Sequence, residues 1–106
     1  MPPASASLSQ IKLPSKLRYL VLDILKPHKP NILKFAEELA YLNKTYSINL
    51  KVLETNEKTE TVEIMIEGEE VDFEKIEAIV SKLGGSIQSV DEVSVGSKII
   101  YSKKTR

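Results

Sequence analysis

The chain has no cysteine and no tryptophan, one histidine, four glycines and two phenylalanines in 106 residues, and its formal charge sums to zero. Each scarcity removes a class of chemistry. Without cysteine there is no disulfide, thiolate zinc site, cysteine-ligated iron–sulfur cluster or thiol nucleophile. A single imidazole, His28, rules out any one-chain site that needs two. No run approaches the ~18 apolar residues of a membrane helix, and the start of the chain lacks the apolar centre of a signal peptide. The expected location is therefore the cytoplasm, with no membrane partner. Nucleic acid is not an expected partner either, because dispersed lysines beside four tyrosines and two phenylalanines make a poor basic, aromatic-bearing surface. What is present, 42% apolar and 28% charged residues, is the composition of an ordinary globular domain with one modest core.

The neutral total conceals a segregation along the chain. Residues 1–34 carry six cations against Asp23 alone, residues 35–53 balance, residues 54–77 set ten carboxylates against Lys58 and Lys75, and residues 78–106 return to an excess of three positive charges. An acidic middle flanked by basic ends reads first as solvated faces of a strand and a helix. It also suits subunits that recognise each other, since complementary potentials set register and partner choice.

Residues 1–17 are rich in Ser, Pro and Ala and have neither helical nor strand period, which marks a tail or an oligomer arm. RYLVLDIL, residues 18–25, is apolar on both alternating faces except at Asp23, as a central strand should be. KPHKP breaks it, and Pro30 suits the first turn of a helix over residues 30–43, with Ile32, Phe35, Ala36 and Leu39 on one face. Two alternating runs, residues 46–55 and 60–69, flank a polar turn at Asn56-Glu57-Lys58 and form an antiparallel hairpin. Asp72 is placed to cap a second helix carrying Phe73, Ile76, Val80 and Leu83, and Gly84-Gly85 ends it. In the last strand, residues 86–95, Ile87 and Val90 differ in parity, which predicts a bulge. Ile99-Ile100-Tyr101 extends it in this reading, ahead of a basic tail over residues 102–106.

The order β-α-β-β-α-β, with right-handed crossovers, closes into an α+β ferredoxin-like sandwich: an antiparallel sheet of order 4-1-3-2 with both helices on one face. The domain is expected over residues 18–101. The opposite sheet face then carries Tyr19, Val21, Asp23 and Leu25 or the mirror set, plus Leu53 and Met65. Apolar residues on a face with no helix over it predict cover by a partner, and a homo-oligomer is the expected form.

LVLDILKPHKP (residues 20–30) and IEGEEVDFEKIEAIVSKLGGSIQSVDEVSVG (residues 66–96), in that order, resemble an uncharacterised archaeal family catalogued as domain of unknown function 211. The resemblance runs over residues 18 to 100. It implies a ferredoxin-like fold and oligomeric assembly, and it implies no activity. Lys29 departs from the acidic residue common at that place in the family, which counts against a metal in the loop itself.

Two groups of residues are candidates for chemistry. Lys26, His28, Lys29 and Asn31 lie where the end of a central strand meets a helix N-terminus, and free backbone donors with two lysines there would suit a small anionic ligand. The competing reading is a rigid, solvated connection. Asp23, with Asp91 or Glu92 from the antiparallel fourth strand and Glu63 as another neighbour, could supply oxygen ligands to Ca²⁺ or Mg²⁺, against the simpler reading of an ion pair with Lys26 or Arg18. No nucleophile with a base, paired catalytic carboxylates or glycine-rich phosphate loop is visible, so no catalytic residue is assigned. The expected function is a homo-oligomeric ligand-binding or regulatory module. A calcium-binding assembly and a small enzyme with an inter-subunit site at Asp23 and His28 are the alternatives.

Overall fold

The computed structural model describes residues 16–102. The amino-terminal arm and the basic carboxyl-terminal tail expected from composition therefore lie outside the described residues, save for Lys16, Leu17 and Ser102. The elements run β1 (Leu17–Pro27), α1 (Ile32–Ala40), β2 (Ser47–Thr55), β3 (Thr59–Glu67), α2 (Phe73–Lys82) and β4 (Ser86–Val95). The four strands form one antiparallel sheet in the order β2-β3-β1-β4. This is an α+β fold, and its strand order is consistent with a ferredoxin-like arrangement.

Even-numbered residues of β1 build the core. Leu20, Leu22 and Ile24 stand opposite Ile66, Ile64 and Val62 of β3, and these six are buried with Phe35 and Leu39 of α1 and Ile76 and Val80 of α2. Both helices therefore pack on the same sheet face. Each fully buried aliphatic or aromatic side chain contributes about 1.5–3 kcal/mol relative to exposure, so these positions carry most of the hydrophobic driving force.

Both helix ends follow local chemistry. Asn31 rather than Pro30 starts α1: its side-chain oxygen accepts the Lys34 N–H at 2.9 Å. The helix stops short of the expected Asn43 because the Asn43 carboxamide oxygen accepts both the N–H and the hydroxyl of Thr45, at 2.8 and 2.7 Å, which turns the chain toward β2. Asp72 caps α2 by accepting the Lys75 N–H. At its far end Gly84, at φ 89°, donates to Ser81 O while Gly85 donates to Val80 O. That pair of bonds is the Schellman pattern, which needs a residue at ease with positive φ.

The pairing of β4 with β1 has three register shifts: two skip Asp91 and Gln88 and realise the parity break in β4, and the third skips Arg18 on β1. After Gly96 the chain leaves the sheet instead of extending it. Ile99-Ile100-Tyr101 is not a strand, and the expected continuation is corrected: the Ile100 N–H donates to Ser94 Oγ, the Ser102 N–H donates to Glu92 Oε2, and Tyr101 lays its ring edge-on to Tyr19 at 4.9 Å between centroids. Residues 97–102 are thus a strap across the helix-free face. They explain why Tyr19 and Val21 are buried there before any partner is considered.

Candidate functional site

At the carboxyl end of β1 the antiparallel register sets Lys26 opposite Glu60 and Pro27 opposite Thr59. The Lys26 side chain turns inward. Its ammonium is fully buried, donates to Glu60 Oε2 at 2.8 Å and to the Pro27 carbonyl at 2.7 Å, and lies 5.5 Å from the centre of the Phe35 ring. Glu60 in turn is held below the usual carboxylate range, chiefly by its hydrogen bond from Lys26, against the opposing effect of its burial. His28 faces the tip of the β2–β3 hairpin, with Nε2 2.9 Å from the Asn56 carbonyl oxygen and 3.1 Å from that of Glu57. Since both carbonyls can only accept, Nε2 carries the proton. Nδ1 lies 3.6 Å from Glu60 Oε1.

Of the four residues expected to hold an anion, Lys26 and His28 thus grip the hairpin, Asn31 caps α1, and Lys29 is exposed beside the helix N-terminus. Together they form a clasp that fixes one end of β1 to the far end of the β2–β3 hairpin.

The second candidate group lies on the helix-free face, where register separates its members. Asp23 stands opposite Glu63 on β3 and opposite Ser89 on β4. Glu92 stands opposite Val21, one step along that face. Asp91 occupies the bulge and accepts the Ser89 hydroxyl at 2.7 Å. Among the described residues no three His, Asp or Glu side chains converge closely enough to hold a metal ion. Asp23 Oδ1 is nonetheless inaccessible to water and has no hydrogen-bond partner among those residues.

Sequence reasoning missed the strap and what lies beneath it. A hollow of about 300 Å³ is lined by Tyr19, Val21, Glu63, Met65, Glu92 and Tyr101, with Ser102 at its edge. A neighbouring hollow of about 280 Å³ shares Tyr19 and Met65 and adds Asn49 and Glu67. The Tyr101 hydroxyl donates to Glu67, which pushes the Tyr101 phenol above its ordinary range. Tyr19 is raised as well, first by burial and then by the charges of Glu92, Glu67 and Glu63. The sequence pattern placed Tyr19 on the helix-free face but not its meeting with Tyr101, which depends on the chain leaving the sheet after Gly96.

Fold and site together define a small α+β protein whose polar groups are spent largely on holding strands, caps and strap in place. Residues 18–106 match the family model for DUF211, described as "Uncharacterized ArCR", and the chain belongs to that family. It is similar to the uncharacterized protein MJ0319 of Methanocaldococcus jannaschii, with 45% identity over 89 residues that cover 84% of this chain and 92% of the relative.

Proposed function

We propose that the protein is a homo-oligomeric, ferredoxin-like module with a binding or regulatory role. The observation that carries this reading is the state of the β4 edge. Val93 and Val90 stand opposite Leu20 and Leu22 of β1, so they project from the helix-bearing side of the sheet, yet they are 52% and 47% exposed. Val95 on the same strand is exposed too. An outer strand offers unpaired backbone donors and acceptors, and three exposed valines on it form an apolar margin suited to another copy of the chain. The far edge, β2, also exposes Val52 and Leu53. The acidic middle and basic ends of the sequence support recognition between copies. Sedimentation velocity tests this. The wild type is expected to sediment as a defined oligomer, and a Val93→Lys/Val95→Lys variant as a folded monomer; a monomeric wild type at high micromolar concentration overturns the reading.

Divalent-cation binding between subunits is a second reading, favoured by the Asp23 and Glu63 carboxylates standing opposite each other on β1 and β3. Like charges in that relation repel, and a Ca²⁺ ion with further oxygen ligands from another copy would offset the repulsion. Thermal unfolding with Ca²⁺ and with EDTA tests it: no difference between the two at millimolar Ca²⁺ removes it. A small anion at the start of α1 would find Lys29 available and would have to displace Glu60 to reach Lys26.

A further inference from the structure

We propose that residues 8–13 of the amino-terminal segment, Leu-Ser-Gln-Ile-Lys-Leu, seat in the groove between the end of α1 and the start of α2 of the same chain. The groove shares no residue with the exposed valines of β4, so the inference goes beyond the assembly proposed above and holds for a single copy.

The groove has a volume of about 450 Å³. Its floor is apolar: Leu17, Leu42, Val71 and Phe73 line it, and all but Val71 are only partly buried against the core. Its rim is acidic, with Glu70, Asp72 and Glu74 exposed along it. Asp72 spends one oxygen on the cap of α2. Lys75 also lines the groove, yet among the described residues none of the three carboxylates lies within ion-pair distance of a cation. The end of α1 adds to the same sign, because the partial negative charge of a helix C-terminus is met there by no basic residue in the last turn.

What the groove lacks, the preceding segment carries. β1 begins at Leu17, itself in the groove wall, so the chain arrives at the groove's own edge. Leu13 lies four residues before it, and four residues of extended chain reach at most about 14 Å. A segment tethered this closely meets the groove at an effective concentration of about a millimolar, well above what separate copies supply in dilute solution. Residues 1–16 hold Lys12 and Lys16 and no acid, so their charge is opposite to that of the rim. Pro14 disfavours helix at Leu13, and in extended chain Ile11 and Leu13 share one side while Lys12 takes the other. Two apolar side chains thus suit the floor, and a long stem with an ammonium at its end suits the rim.

The test is nuclear Overhauser spectroscopy on the full chain. Contacts are expected from the Ile11 and Leu13 methyl groups to the Leu42 methyls and the Phe73 ring. They should arise within one chain, so an isotope-filtered mixture of labelled and unlabelled copies should show none between chains. Ile11→Ser/Leu13→Ser should abolish them and displace the amide signals of Leu42, Val71 and Phe73, while the core signals of Leu22 and Ile64 stay in place. Lys12→Glu/Lys16→Glu should weaken the contacts. Lys58→Glu, in the β2–β3 turn at the other end of the sheet, should leave them as they are. The proposal is overturned if wild type shows no such contacts, which would leave the groove empty, or if they cross between copies, which would make the segment an exchanged arm. It is equally overturned if Ile11→Ser/Leu13→Ser leaves the groove amides unmoved, or if charge reversal at Lys12 and Lys16 acts no more strongly than Lys58→Glu.

Discussion

The fully buried ammonium of Lys26 lies 2.8 Å from Oε2 of Glu60, the residue directly across from it on β3. A lysine withdrawn from water this completely is stable only while its charge is met, and Glu60, 12% exposed, together with the Pro27 carbonyl takes two of its three donors, with the Phe35 ring 5.5 Å away. Removing one partner of such a pair costs about 3–5 kcal/mol, whereas replacing both by apolar groups of similar shape is often neutral. Lys26→Ala is therefore expected to lower stability by about 3 kcal/mol in urea unfolding, near the lower end of that range because Glu60 retains some water. The double variant Lys26→Met/Glu60→Leu should regain most of the loss. A single variant as stable as wild type would show that the pair does not hold the end of β1.

The same contact sets a pH dependence. Glu60 is lowered in the folded protein, first by the hydrogen bond from Lys26, so its charged form is favoured by folding. The stabilisation is complete above the ordinary glutamate value of about 4.3 and is lost as pH falls below it toward the depressed folded value. Wild type and Glu60→Gln should accordingly differ most in stability near neutral pH and converge on acidification. Parallel pH–stability curves between neutral and about pH 3 would count against the assignment.

The pattern of residues foretold the scaffold better than it foretold the contacts. The two-sided apolar run of β1, the alternation of Val62, Ile64 and Ile66, the Asp72 cap and the Gly84-Gly85 stop are local signals, and each appears where its own spacing places it. The partner of Lys26 is a matter of register between strands separated by a helix and a further strand, and no local feature selects Glu60 over its acidic neighbours. The bulge in β4 was visible from the parity of Ile87 and Val90, but not which residues it would skip, and that choice decides that Ser89 rather than Asp91 stands opposite Asp23. Ile99-Ile100-Tyr101 has the composition of a strand. It becomes a strap because Gly96, at φ 139°, turns the chain as its N–H donates to Lys16 O, and Ser94 then takes the Ile100 N–H.

Gly68 gives a steric prediction. Its N–H donates to the Arg18 carbonyl at the end of β3, and a Cβ built there would sit 2.7 Å from Cδ1 of Tyr46 and 3.3 Å from Cγ2 of Val71. Tyr46 cannot simply swing away: it is buried, and its hydroxyl accepts the Asp72 N–H at 2.8 Å at the start of α2. Gly68→Ala should therefore destabilise the fold by about 1–3 kcal/mol, the usual cost of overpacking. Tyr46→Leu in the same background should relieve part of that cost despite losing the hydroxyl. An unchanged unfolding midpoint for Gly68→Ala would mean that the Tyr46 ring is not held where Asp72 places it.

The strap should come loose in alkali before the sheet does. Tyr101 donates its hydroxyl proton to Glu67, and this bond, with lesser contributions from burial and the Glu67 charge, raises the Tyr101 phenol. A group raised on folding stabilises at pH below its unfolded value, here about 10, and that contribution disappears as pH climbs through the folded value. Ionisation would also set a phenolate against the Glu67 carboxylate and remove the hydrogen that joins them, so the contact becomes repulsive. The expected result is loss of cross-relaxation between the Tyr19 and Tyr101 rings above about pH 10, while the signals of Leu22 and Ile64 in the core stay in place. Glu67→Gln should move the Tyr101 titration to lower pH, because the partner carboxylate no longer opposes the phenolate. An identical Tyr101 midpoint in the two proteins would show that Glu67 does not hold the strap.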